Sequence, residues 1–177
     1  MWLEEERPKK KANTSEADAG DSLYSPSLLM KTVEVNVNEI NEKVLSLVQK
    51  KLAFLLENKC IEEGFIQPKS IEIVDLSACK IVKGNVGQFL VSFHCKVCFP
   101  VEGMRISCRV TGITSAVIQA ESSEETPSPI LVFISCELDY PSFAQLTIGD
   151  IVLIEVIGQR FSLNDSYIEI TGKIVSR

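Results

Sequence analysis

Cys95-Lys96-Val97-Cys98 is the only pair of cysteines at a spacing familiar from zinc sites. Zinc needs four ligands converging at about 2.0–2.3 Å. The remaining cysteines, Cys60, Cys79, Cys108 and Cys136, are scattered singly. The alternation of apolar and polar residues around the pair also sends Cys95 and Cys98 to opposite faces of a strand. His94 shares a face with Cys98 but lies four residues away, roughly 13 Å along an extended chain. The six cysteines therefore read as small hydrophobes, with no metal site and no cofactor. A single histidine, placed mid-strand, argues against a hydrolase triad. Glu124-Glu125 lies in a Ser/Pro-rich loop and reads as solvated. Lys83-Gly84-Asn85-Val86-Gly87 lacks the strand-loop-helix setting of a phosphate loop and reads as a hairpin tip. No catalytic residue emerges, and the chain reads as not an enzyme.

The chemistry left is recognition. Phe133 faces outward on the alternation of its strand, where a ring can stack a nucleobase; a core or interface aromatic is the other reading. Arg105 and Arg109 share the outward face of another strand and can meet phosphates, with Arg160 at a strand end. The charge balance limits what they achieve. Acidic residues number 24 and basic ones 18, a net of −6. Residues 1–100 hold 13 basic and 14 acidic residues, a net of −1, and residues 101–177 hold 5 and 10, a net of −5. Tight nonspecific nucleic-acid binding needs surplus base to release counterions from phosphates. Any RNA contact is therefore expected to be weak and local.

The elements that must position these residues fall into two groups. Val33, Val35 and Val37 alternate with polar residues and suit a strand over 28–37. Ile40, Val44, Val48, Leu52 and Leu55 recur at helical spacing, predicting one amphipathic helix of about four to five turns. Asn38 is positioned to cap it, and Gly64 to close the segment after it. Period-two alternation then runs from Phe89 to Val101. An antiparallel sheet with one helix, α+β in class, fits residues 23–101. Residues 102–177 carry five short strands, around Ile106–Val110, Val117–Ala120, Ile130–Ile134, Ile151–Ile157 and Ile168–Ile174, with no comparable helix. That pattern predicts an all-β barrel of the OB kind. The 151–157 strand is apolar on both faces, so its outer face needs a neighbouring domain or subunit.

Residues 1–22 combine Glu4-Glu5-Glu6, Lys9-Lys10-Lys11 and a small polar run, and read as a disordered tail. Arg7-Pro8-Lys9-Lys10-Lys11 is either a nuclear-import patch or part of a solvated tail. The acidic start does not suit a signal peptide, and no apolar run reaches ~18 residues, so an intracellular protein without membrane contact is expected.

Leu131-Val132-Phe133-Ile134-Ser135-Cys136-Glu137-Leu138 resembles the third-strand signature of RNA-binding barrels of the ribosomal S-one type. Across residues 23–175 the chain also resembles one family, the stalk subunit of DNA-directed RNA polymerase: the seventh subunit of RNA polymerase II or the archaeal E subunit. Val44–Leu52 resembles its single helix, and Gly64-Phe65 its glycine-phenylalanine pair. Val97, Pro100 and Gly103 match the handover between its domains. Ile154–Arg160 and Tyr167–Gly172 resemble its last two strands. The tip stretch 78–84 has less glycine than the family usually carries. The second barrel strand lacks the usual glycine and aromatic, and the insert before the fourth strand is reduced to 139–145.

The resemblance implies a non-catalytic polymerase subunit in transcription. Its tip, Ile81, Val82, Lys83, Gly84 and Gly87, would dock on the largest subunit and core. Its barrel would guide nascent RNA weakly through Phe133, Arg105, Arg109 and Arg160, and its partner would be the fourth, or archaeal F, subunit. Such a subunit would work in the nucleus of a eukaryotic cell, or in the viral factory or virion of a large DNA virus. Two other readings stand beside it: a free OB-fold RNA-binding protein of translation or RNA decay, and an enzyme such as a nuclease carrying the barrel as an appendage. The first requires a basic barrel, the second a carboxylate or metal cluster. Because residues 1–21 offer almost nothing to a core, their deletion is expected to shift the melting temperature by no more than a few degrees in a thermal melt.

Overall fold

The computed structural model of the protein describes residues 22–135 and 146–176. The tail reading of residues 1–21, Cys136 and the shortened 139–145 insert lie outside the described residues. Among those described, no helix is long and apolar enough to cross a membrane.

The first half is organised by one long pairing. Strand β1 (Tyr24–Asn36) runs antiparallel to β6 (Val86–Cys98) in register from Tyr24↔Cys98 to Asn36↔Val86. The other edge of β6 is taken in turn by β5 (Lys80–Lys83), β4 (Glu72–Leu76) and β3 (Gly64–Ile66), with β2 (Cys60–Ile61) beyond β3. Phe89, Val91, Phe93, Cys95 and Val97 all point from β6 into one core. Helix α1 (Val44–Leu56) closes that core with Val48, Leu52 and Leu56, which recur every four residues and so share a face. Strand β1 starts earlier than the alternation suggests and contains Pro26. It is an edge strand, where a missing N–H leaves no ladder bond unmade.

Two boundaries depart from the sequence reading. The helix begins at Val44, not near Ile40, and Asn38 does not cap it. Val37–Glu39 is a 3-10 turn in which the Asn36 side chain accepts from the Asn38 N–H at 3.1 Å. The Asn41 side chain accepts from the Lys43 N–H at 2.9 Å. Such local side-chain bonds offer the backbone an alternative to helix and delay its start. Strand β6 ends at Cys98, not Val101. Pro100 follows, and Phe99 and Val101 are exposed.

The second half is a closed five-stranded barrel: β7 (Arg105–Ile113), β8 (Val117–Ser122), β9 (Ile130–Ser135), β10 (Ile151–Arg160) and β11 (Ile168–Ser176). The order around the wall is β10-β11-β9-β8-β7, with β7 returning to β10. All pairs are antiparallel except β9 with β11. Every second residue, including Cys108, Val110, Ile118, Val132, Ile154 and Ile170, fills the interior.

The two cores do not part at residue 101. Leu23, Cys60, Phe65 and Cys98 belong to the barrel's cluster, although the sheet supplies them. Cys95 and Cys98 accordingly lie in different cores, as the alternation requires. The Cys60 N–H donates to the Asp165 carbonyl at 2.8 Å, and the Asn164 N–H donates to the Cys60 carbonyl at 2.8 Å. Phe99 and Phe161 meet edge to face with centroids 6.1 Å apart.

Gly64 does not end the helical segment. It opens β3 with φ +127°, and a Cβ there would lie 2.4 Å from the Cys98 carbonyl oxygen. Only glycine fits both the angle and the approach. Gly64→Ala combines backbone strain of about 1–3 kcal/mol with a backbone clash. It is expected to lower the melting temperature by roughly 5–10 °C, at about 2–4 °C per kcal/mol for a chain of this size.

Candidate nucleic-acid interface

Barrel register sets three of the four scattered residues, Phe133, Arg160 and Arg109, on two adjacent outward rows. Reading across the wall from β10 to β7, one outward row is Gly158, Thr171, Phe133, Gln119 and Gly112. The next is Arg160, Glu169, Leu131, Glu121 and Arg109. Residues directly opposite in a sheet have Cβ atoms about 4.5–5.5 Å apart, and diagonal neighbours lie about 7–8 Å apart. Phe133 is thus the centre of the first row, half-buried, with the second row beside it.

The ring stands in a concave setting. A cleft of about 390 Å³ is lined by Phe133, Thr171, Gly158, Arg160 and Glu169. Beyond its chain neighbours, no atom lies within 4 Å of where a Cβ on Gly158 would sit, so this glycine leaves open space on the Thr171 side of Phe133. A second cleft of about 620 Å³ lies across β9, with Arg109, Gln119, Glu121, Leu131 and Tyr167 on its walls. Gln159 belongs to neither outward row. It is in register with buried Ile170, and its Oε1 is buried without a hydrogen-bond partner.

The arginines separate. Arg160 and Phe133 share the smaller cleft, but the Arg160 guanidinium is paired with Glu169 at 3.3 Å. That pair is exposed and worth little in stability. Arg109 stands at the far end of the second row, opposite Glu121. Arg105 shares the outward face of β7 with Arg109, yet lies opposite Glu155 on β10, away from the ring. Glu155 accepts from Lys173 at 2.9 Å. The hydrogen bond from Lys173, then the charges of Lys173 and Arg105, hold its carboxyl below the usual carboxylate range.

At the opposite end of the molecule, β5 and the start of β6 form the expected hairpin, turning at Gly84-Asn85 with Gly84 at φ +56°. Ile81 and Val82 are exposed at 66% and 50%. Lys83 closes β5, where it pairs with Val86. Gly87 is not a surface residue: it is buried, with Cys79 and Ile40 against it. On the outer face of β10, Ile151 and Ile157 are exposed at 52% and 38%, and Leu153 is half-buried.

Burial disfavours the thiolate form of the four buried cysteines described. Burial pushes the thiols of Cys60 and Cys95 up to about 11, and those of Cys98 and Cys108 up to about 12. Among the described residues, no group of three or more His, Cys, Asp or Glu could hold a metal ion.

Sequence reading missed Gln119, Thr171, Gly158, Glu121 and Glu169, because their relation to Phe133 depends on cross-strand register. The sequence signal that could have raised them is alternation alone, which puts each on the outer face of its strand. A scan against protein-family models and a search of curated proteins both find no match to the chain.

Glu155 provides a check on this assignment of partners. Its depressed pKa means that the Lys173 pairing stabilises the fold above the carboxylate's unfolded pKa, and that this contribution is lost as pH falls through the folded value. Carboxyl-resolved NMR titration should place Glu155 below the free glutamate value of about 4.3. Lys173→Met should move its midpoint upward, while Arg160→Met leaves it in place.

Proposed function

We propose that this chain is a non-catalytic, stalk-type subunit of a multisubunit DNA-directed RNA polymerase. In this reading the sheet half docks on the core enzyme, and the barrel, an OB fold, contacts nascent RNA weakly. The observation that carries it is a division of surfaces. An apolar hairpin tip, Ile81 and Val82, lies at one end of β6, and an outward aromatic in a cleft, Phe133, lies in the barrel joined to the other end. The order of these parts is the one the resemblance implies. The barrel's strand order, with its single parallel pair between third and fifth strands, supports the OB assignment.

Energetics favour a tethered RNA contact over a free one. Base stacking on an exposed aromatic contributes about 1–3 kcal/mol per base. Against it, the 101–177 segment is net −5, and the glutamates of the second row lie between its arginines. The isolated protein is expected in the nonspecific range, with Kd on the order of 10⁻⁴–10⁻⁶ M and strong salt dependence. Fixed beside an RNA exit path, the same contact gains from effective concentration. The outer face of β10 suits the fourth, or F-type, subunit as a partner, and the tip suits the largest subunit and core.

Affinity purification of the tagged chain from its native source tests the assignment. The two largest polymerase subunits and one small partner are expected in the eluate; recovery with ribosomes or decay factors alone would sink it. Ile81→Glu with Val82→Glu should release the chain from the core. Phe133→Ala should leave the complex intact and reduce crosslinking of nascent RNA to this subunit several-fold. The opposite pattern, with the subunit released and crosslinking unchanged, would make Phe133 an interface residue.

A further inference from the structure

The charged row beside Phe133 is symmetrical in an unexpected way. Its two cations, Arg160 and Arg109, are at the ends, and its two anions, Glu169 and Glu121, flank Leu131 in the middle. Electrostatics of the phosphate backbone would favour the reverse order: Glu169 lines the cleft that holds Phe133, and Glu121 stands on the other side of β9, opposite Leu131. The inner pair stands on the two strands that flank β9, one glutamate diagonal to Phe133 on each side. Glu169 is also paired with Arg160 at 3.3 Å, and its side chain keeps 41% of its exposure, so its carboxylate is accessible.

An ionised carboxylate only accepts hydrogen bonds. Cytosine N4 and adenine N6 present amino donors, and guanine presents N2, whereas uracil carries a carbonyl oxygen where cytosine carries N4. A carboxylate facing that position accepts from cytosine and repels uracil. Resting on the RNA-contacting role proposed above, we propose that Glu169 and Glu121 make this face discriminate among bases: a base stacked on Phe133 is held when it presents an exocyclic amine, and uracil is rejected. The acidity of the barrel is then in part a selectivity device, weakening all RNA while weakening uracil-rich RNA most.

Fluorescence anisotropy of the full chain with labelled 12-mers of cytidine, adenosine and uridine, at one low salt concentration, tests this. The unmodified protein should bind the cytidine and adenosine oligomers about tenfold more tightly than the uridine oligomer, equivalent to about 1.4 kcal/mol. Glu169→Gln with Glu121→Gln should bring the ratio below about threefold, because an amide can donate to the uracil carbonyl. The readout is the ratio and not the affinity: freeing Arg160 strengthens binding to all three oligomers alike. Phe133→Ala, which removes the ring that sets the base beside the glutamates, should weaken all three and bring the ratio toward one, and thermal melts confirm that each variant is folded. Equal binding of the three oligomers by the unmodified protein, or an unchanged ratio in the double variant, would overturn base discrimination while leaving a Phe133-dependent RNA contact standing. Absence of binding to every oligomer at millimolar protein would overturn the RNA contact and the discrimination together.

Discussion

Strand β6 is the constraint on which the molecule depends. Within the sheet half it is the partner of β1 on one edge and of β5, β4 and β3 on the other, so only β2 is held without it. Its alternating residues, from Phe89 to Val97, form the floor on which α1 packs. Its last residue, Cys98, turns into the barrel's core, and Cys98 O is the atom that Gly64 approaches too closely for any side chain. One thirteen-residue segment therefore sets the sheet register, seats the helix and begins the second core. A polar substitution at Phe93 or Val91 would leave its polar group unpaired in that core.

The junction follows from the same strand. Leu23 just before β1, Cys60 and Phe65 in the β2–β3 hairpin, and Cys98 reach the barrel together because β1 and β3 both pair with the end of β6. The exchange of backbone hydrogen bonds between Cys60 and residues 164–165 adds a directional link to this nonpolar one. The high thiol pKa values of Cys60 and Cys98 are a consequence of this packing: burial disfavours the thiolate, so the residues serve as compact apolar volume.

Much of the architecture was legible in the sequence because period is a local property. Val33 and Val35, Phe89 to Val97, and the five barrel strands each reveal themselves through alternation, and α1 through Val48, Leu52 and Leu56. The ends of elements were less legible. Asn36 and Asn41 bond their own neighbourhood and displace the helix start by a turn, and Pro100 stops a strand whose apolar alternation continues to Val101. Least legible was the candidate interface. Phe133 was visible as an outward ring, but Glu169 and Glu121 acquire meaning only through the register that sets both beside Leu131, one on β11 and one on β8. The four cationic and aromatic residues singled out by type do not gather at one point: Phe133 and Arg160 share a cleft, Arg109 stands across the face, and Arg105 lies with Glu155.

The shared core at the junction has a mechanical consequence. A flexible linker between the halves would let the barrel tumble about its tether. Here Cys98, Phe65, Cys60 and Leu23 are packed on the barrel side, and the backbone exchange at Cys60 resists twisting. The thirteen residues of β6 span roughly 44 Å at about 3.4 Å per residue. The hairpin and the barrel are thus joined through one continuous strand and one shared core. A tilt of about 5° at the tip sweeps the far end of that strand through about 4 Å, close to one strand spacing. Small angular changes at Ile81 and Val82 would then appear, amplified, as displacement of the ring on β9.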